Sequence, residues 1–141
     1  TSLQYIAQNC EKRMLKNGRK KGCFIPLNQG AMGASKVIIC EGWATGATLA
    51  EDYPTALVLA AIDAFNLSSV ATGAAIKWPD SKLIIAADDD RSKTYNVGME
   101  KAKEAAILTG AKLALPPWPQ GAPTHLSDFN DLVVYLKGQA T

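Results

Sequence analysis

The chain has 141 residues, 48% of them apolar and 20% charged, with a net charge of only +2. That make-up fits one ordinary globular domain, and no overall charge excess argues for nucleic acid. The longest apolar run, Ala56 to Ile62, is far too short to cross a bilayer, and no signal-peptide pattern opens the sequence, so no membrane partner and a cytoplasmic setting are expected.

Cys10, Cys23 and Cys40 form an odd set with no CxxC pairing, and the single histidine, His125, stands far from them. A zinc ribbon or finger is not supported, and a reduced compartment fits best, with Cys40 a buried strand residue. Opening on Thr1 rather than Met, the sequence reads as a piece of a larger protein.

Residues 1–34 form a basic N-terminal segment, a linker or the remnant of a preceding domain. Lys12, Arg13, Lys16, Arg19, Lys20 and Lys21 crowd around Gly18 and Gly22. "CFIPL" then reads as a short strand that Pro26 confines to an edge or an end. "NQGAMGAS" reads as a loop.

A regular alternation fills residues 35–141. "KVIIC" is a continuous apolar run, as in a strand buried on both faces. "ATGATLAEDY" reads as a helix closed by Pro54. "TALVLAAI" is a second buried strand, and "NLSSVATGAAIKW" a weaker helix or turn-rich segment. "KLIIAA" is a third strand, stopping at three aspartates. "NVGMEKAKEAAILTG" is the best helix, with Asn96 as its N-cap and Gly110 suited to its C-terminus. "AKLALPP" is a short fourth strand. "SDFNDLVVYLKG" is a last helix, capped by Ser127 or Asp128 and followed by Gly138. Repeated strand–helix units imply an α/β fold: about four mostly parallel strands with helices on both faces.

In such sheets ligands bind beyond the carboxyl ends of the strands. Glu41 follows the first strand, and Gly42 lets the chain turn tightly into the helix. Glu41 is either a helix cap favoured by the dipole or a working carboxylate. After the third strand comes "DDDR". On an alternating backbone, Asp88 and Asp90 project to one side and Asp89 to the other. A D-x-D pair suits Mg²⁺, which prefers oxygen ligands and open water positions. The plainer alternative is a solvated acidic loop balanced by Arg91. Neighbouring first and third strands would bring Glu41 close to Asp88 and Asp90. Asp128 and Asp131 are three apart and share a helix face, and Asp128 also suits an N-cap. Asp63 ends the second strand as a cap, a turn residue or a wall of the site. No G-x-G-x-x-G follows the first strand and no G-x-x-x-x-G-K-[ST] occurs, so dinucleotide and P-loop sites lose their signatures.

"VIICEGWATGATLAE", "LIIAADDD" and "SDFNDL", in that order, resemble the TOPRIM domain of bacterial-type primases, topoisomerases and some nucleases. The likeness is nearest to primases and primase-helicases of phages, plasmids and mobile elements, and it extends to the lead-in "RMLKNGRKKGCFIPL". It implies a Rossmann-like fold and metal-dependent nucleotidyl transfer in primer synthesis for DNA replication. It also implies Mg²⁺ or Mn²⁺, a single-stranded DNA template, ribonucleoside triphosphates, and a fused or associated helicase. Glu41 matches the glutamate proposed as general acid/base or metal organiser. Asp88 and Asp90 match the metal ligands, and Asp128, with Asp131, the later acids that add to metal binding. Asp63 and Asp89 are further candidates. Where bacterial housekeeping primases carry a further aspartate, this chain has Thr45, so either a metal position depending on that aspartate is lost or Asp63 or Asp128 replaces it. Primases of this kind need a neighbouring basic domain for the template groove.

The basic run would contact phosphates without reading sequence, or serve only as a solvated linker. Trp43, beside Glu41, could stack a base, whereas Trp78 reads as a packing residue. Two other functions compete: phosphodiester cleavage of the TOPRIM nuclease or topoisomerase type, and a non-catalytic nucleic-acid-binding module.

Overall fold

The computed structural model describes residues 3–9, 11–28 and 33–139; Cys10 and the centre of the "NQGAMGAS" loop lie outside them. Seven strands and four helices follow in chain order. They are β1 (Gln4–Ile6), β2 (Lys12–Met14), β3 (Ile25–Pro26), β4 (Lys36–Cys40), α1 (Trp43–Asp52), β5 (Leu57–Ala60), α2 (Leu67–Lys77), β6 (Lys82–Ala86), α3 (Val97–Thr109), β7 (Lys112–Ala114) and α4 (Phe129–Gln139). A 3-10 turn, Ala64–Asn66, leads into α2.

β4 lies at the middle of a five-stranded sheet ordered β3-β5-β4-β6-β7. The last four strands are parallel, with Cys40 opposite both Ala60 and Ala86, and β3 runs antiparallel along the edge beside β5. The sheet is therefore one strand larger than the four expected. The extra strand is the "CFIPL" stretch, and Pro26 does sit on the edge, where its missing N–H costs nothing. Asn28 prolongs the pairing through its side chain, accepting from the Val58 N–H at 2.8 Å and donating to the Ala56 carbonyl.

The unbroken apolar runs follow from burial on two faces. Val37 and Ile39 of β4 pack with Leu67, Val70 and Ala71 of α2 and Ala102 and Ala105 of α3. Ile38 and Cys40 point the other way, towards Leu49 of α1 and Phe129 at the start of α4. All four side chains are buried, and burying each Val or Ile contributes about 1.5–3 kcal/mol. Cys40 is thus the buried strand residue its sequence context suggests.

Small residues make the second layer fit. A Cβ on Gly46 of α1 would lie 3.1 Å from Cys40 Sγ and 3.1 Å from Leu27, so an alanine there would need those side chains to give by a few tenths of an ångström. At α3, Asn96 accepts from the Met99 N–H at 2.9 Å, and Gly110 ends the helix with φ 68°. α4 is capped by Asp128, whose Oδ1 accepts from the Asp131 N–H at 2.7 Å. The helix continues through Gly138 to Gln139 rather than stopping before the glycine.

The basic segment holds a hairpin that its sequence does not announce. β1 pairs antiparallel with β2, Tyr5 opposite Arg13. Lys12 and Arg13 at the heart of β2 hide the usual alternation.

Candidate active site

β4 and β6 are hydrogen-bonded neighbours, so the residues leaving their carboxyl ends meet. Glu41, Asp63, Asp88 and Asp90 line one open cleft of about 440 Å³ with Ala64, Phe65, Lys93, Val97 and Gly98. Glu41 does not cap α1: Gly42 occupies the cap position, and the first turn of the helix carries no acid. Its carboxylate is therefore not committed to the helix. A Cβ on Gly98 would lie 3.5 Å from Glu41 Oε2 and 3.8 Å from Asp88 Cβ, which puts the first turn of α3 against both acids.

The cleft holds acids at a cost. Burial, then repulsion from Asp63, raises the Glu41 carboxyl above its usual range, against the pull of Lys12. Asp88 is pushed up to about 7 by burial first, then by Glu41, Asp128 and Asp90. Its Oδ1 is buried without a hydrogen-bond partner. Native structures rarely leave such an atom unsatisfied. Among the described residues, no three ligating side chains converge closely enough to enclose an ion by themselves.

The other acids are held in place by the chain. Asp89 points away: its N–H donates to the Ser127 carbonyl at 2.6 Å, and Arg91 Nε lies 4.0 Å from its carboxylate. Arg91 is more than a charge balancer. It donates to the Pro123 carbonyl at 2.8 Å and stacks 4.4 Å from the Trp118 ring, clasping the loop before α4. Thr45, buried in α1, donates to Asp128 Oδ2 at 2.7 Å. Both Asp128 oxygens thus accept from the chain's own donors, one from Thr45 and one as the α4 cap. Asp131 in turn accepts from the Ser127 N–H at 2.9 Å. Asp63 caps the 3-10 turn through the Asn66 N–H and pairs with Lys20 through its other oxygen.

The backbone bends sharply to reach this arrangement. Ile62, between β5 and Asp63, has φ 77°, a left-handed value that a β-branched residue adopts only under strain. Its N–H donates to the Glu41 carbonyl at 2.8 Å, which ties the two strand ends together.

Two residues of the site have no signal in the sequence. Asn66 is buried and holds the basic segment: its amide donates to the Cys23 and Ala61 carbonyls at 2.9 and 2.8 Å, and its carbonyl oxygen accepts from the Gly22 N–H at 2.8 Å. Lys93 pairs with Asp90 at 2.8 Å.

The basic residues divide. Lys12 reaches over the site, its Nζ 3.9 Å from where a Cβ on Gly42 would stand. Lys20 is tied to Asp63, and Lys21 lines a hollow beside it with Phe65 and Ser69. Arg13 pairs with Glu11 at 3.0 Å on the outside, and Lys16 and Arg19 are exposed. Trp43 is 46% exposed and borders a hollow with Gln4, Ile6 and Ile25. Trp78 packs on the core, its ring 6.3 Å from Phe24.

The family model described as "Toprim domain" matches residues 36–138. The chain belongs to the Toprim family. Its span opens at β4 and closes within α4, so β3 and the basic hairpin lie ahead of the matched part of this Toprim domain. Two curated proteins, each named DNA primase TraC from Escherichia coli, are similar to it. One is 38% identical over 134 residues, covering 91% of this chain, and the other 40% identical over 126 residues, covering 85%. The chain spans only 9% and 12% of their lengths. No solved structure matches significantly. No helix among the described residues of this Toprim domain is long and apolar enough to cross a membrane.

Proposed function

We propose that this domain carries the metal-dependent nucleotidyl-transfer site of a DNA primase, which joins ribonucleoside triphosphates on a single-stranded DNA template. One observation carries the reading: Glu41, Asp88 and Asp90 leave adjacent strand ends into a single cleft, where Asp88 is buried with an unpartnered oxygen. The similarity to two proteins named DNA primase supports it.

The donor set fits Mg²⁺ or Mn²⁺. Mg²⁺ keeps several waters and is commonly bound through one or two carboxylates plus substrate phosphates, so a site without three converging ligands suits it. Asp88 and Asp90 would hold it, and its charge would offset the burial and the repulsion from neighbouring acids that raise the Asp88 carboxyl. When bound, the ion supplies charge stabilisation to the transferred phosphoryl group and to the departing pyrophosphate. Asp128, Asp131 and Asp89 flank the site rather than point into it. They orient its walls through Thr45, Ser127 and Arg91.

Glu41 would accept the proton of the attacking 3′-hydroxyl. A carboxylate whose proton affinity is raised by burial is better matched to that task near neutral pH. Of the basic run, Lys12, Arg13, Lys16, Arg19 and Lys21 would contact the phosphates of the template strand, and Trp43 would stack a base at the cleft's edge.

The test is Glu41→Gln and Asp90→Asn in the intact protein. Primer synthesis should be lost in both, with circular dichroism unchanged. Full activity in either variant sinks the assignment. Nicking of supercoiled plasmid with Mn²⁺, without primer synthesis, would favour the nuclease reading instead.

A further inference from the structure

Lys93 stands three residues beyond Asp90, in the loop between β6 and α3. Its N–H donates to the Asp90 carbonyl at 3.0 Å, and this turn brings the ammonium back onto Asp90 Oδ2 at 2.8 Å. Although paired, the side chain is 62% exposed, and it lines the cleft beside Val97 and Gly98 of α3. It therefore combines three properties: it neutralises a carboxylate of the D-x-D pair, it is free to swing, and it stands next to a helix N-terminus. The other two lysines over the site are placed differently. Lys20 is committed to Asp63, and Lys12 comes from the hairpin and acts on Glu41.

A divalent cation on Asp90 would loosen the ammonium's hold, because two positive charges sharing one carboxylate repel each other. Lysine carries a compact, hydrated charge on a long stem, so release from Asp90 leaves it within reach of any anion entering the cleft. The first turn of α3 favours an anion at that place, because its amide groups and dipole present positive charge. We propose that Lys93 is a triphosphate-binding side chain that Asp90 holds while the cleft is free of metal and that a divalent cation displaces. This inference rests on the metal-site reading above and names the residue that grips the nucleotide's phosphates. No bond is made or broken; the exchange moves one ammonium from a carboxylate to a phosphate oxygen.

The experiment measures two affinities on the purified chain: Mn²⁺ by the loss of its free electron-spin-resonance signal, and a fluorescent GTP by anisotropy at saturating Mn²⁺. Lys93→Ala should bind Mn²⁺ about two- to fivefold more tightly, since an exposed competing ion pair is gone. It should bind the nucleotide about tenfold more weakly, the scale of one charge-assisted hydrogen bond. Lys93→Arg should restore most of the nucleotide affinity, and Lys103→Ala, on the outer face of α3, should change neither. Unchanged nucleotide binding in Lys93→Ala, whatever happens to Mn²⁺, overturns the inference and leaves the metal site standing. No Mn²⁺ binding by the unaltered chain overturns the metal reading, and the inference with it.

Discussion

Thr45 shows how one side chain redirects another. Its hydroxyl donates to Asp128 Oδ2 inside the helix layer, where the resembled housekeeping primases carry an acid. Thr45→Val keeps the shape and removes the donor, leaving a carboxylate oxygen short of a partner. Urea unfolding should report a loss of about 1–3 kcal/mol. Asp88 makes a second case. Its carboxyl, raised to about 7 in the fold, binds a proton that the unfolded chain releases near its ordinary value of 3.8. Between those values the folded state holds more protons, so the metal-free protein should lose stability as pH rises from about 4 to about 7. Denaturation midpoints across that range would show the decline, and Asp88→Asn should flatten it. On the proposed function, a cation held by Asp88 would have to displace that proton, so Mn²⁺ affinity should climb over the same interval.

Elements are positioned by residues outside them. Asn66, at the end of the 3-10 turn, ties Gly22 and Cys23 to the end of β5 with three side-chain hydrogen bonds. Asn66→Ala should cost about 2–3 kcal/mol. It should also speed hydrogen exchange at Gly22 and trypsin cleavage at Lys20 and Lys21, while protection in β4 and β6 stays high. Exchange rates unchanged at Gly22 would mean that the basic segment is held by other contacts. The helices and the strands from β4 onward were readable because their signals are local: an apolar run, an Asn96 cap, a glycine at 110. The hairpin was not readable. Two three-residue strands rich in charge carry no period, and their pairing depends on partners six to ten residues away. Nor could sequence say that β3 belongs to the main sheet, since that rests on Ile25 meeting Ala60.

The molecule as a whole concentrates repulsion at one edge and surrounds it with lysines. A ligand that binds only the folded state stabilises it by about 2.7 kcal/mol at a hundredfold excess over its dissociation constant. Millimolar Mg²⁺ or Mn²⁺ should therefore raise the melting temperature, and Asp88→Asn combined with Asp90→Asn should abolish the rise. Single-stranded DNA should bind with an affinity that falls steeply with salt, and neutralising Lys16 and Arg19 should lower that slope uniformly across sequences.

Several features were determined by the sequence alone. Uninterrupted apolar runs require burial on two faces, strand–helix repeats require parallel crossovers, and acids placed just after strands come out at the carboxyl edge of the sheet. The tertiary structure decided which acids meet. That depends on β4 and β6 being neighbours, on Arg91 drawing Asp89 away and on Thr45 holding Asp128. It also decided what balances them, for Lys12, Lys20 and Lys93 come from separate parts of the chain. The distinction is physical: periodicity and caps act over a few residues and are written locally, whereas electrostatic pairing acts through space between residues whose separation along the chain says nothing about their distance.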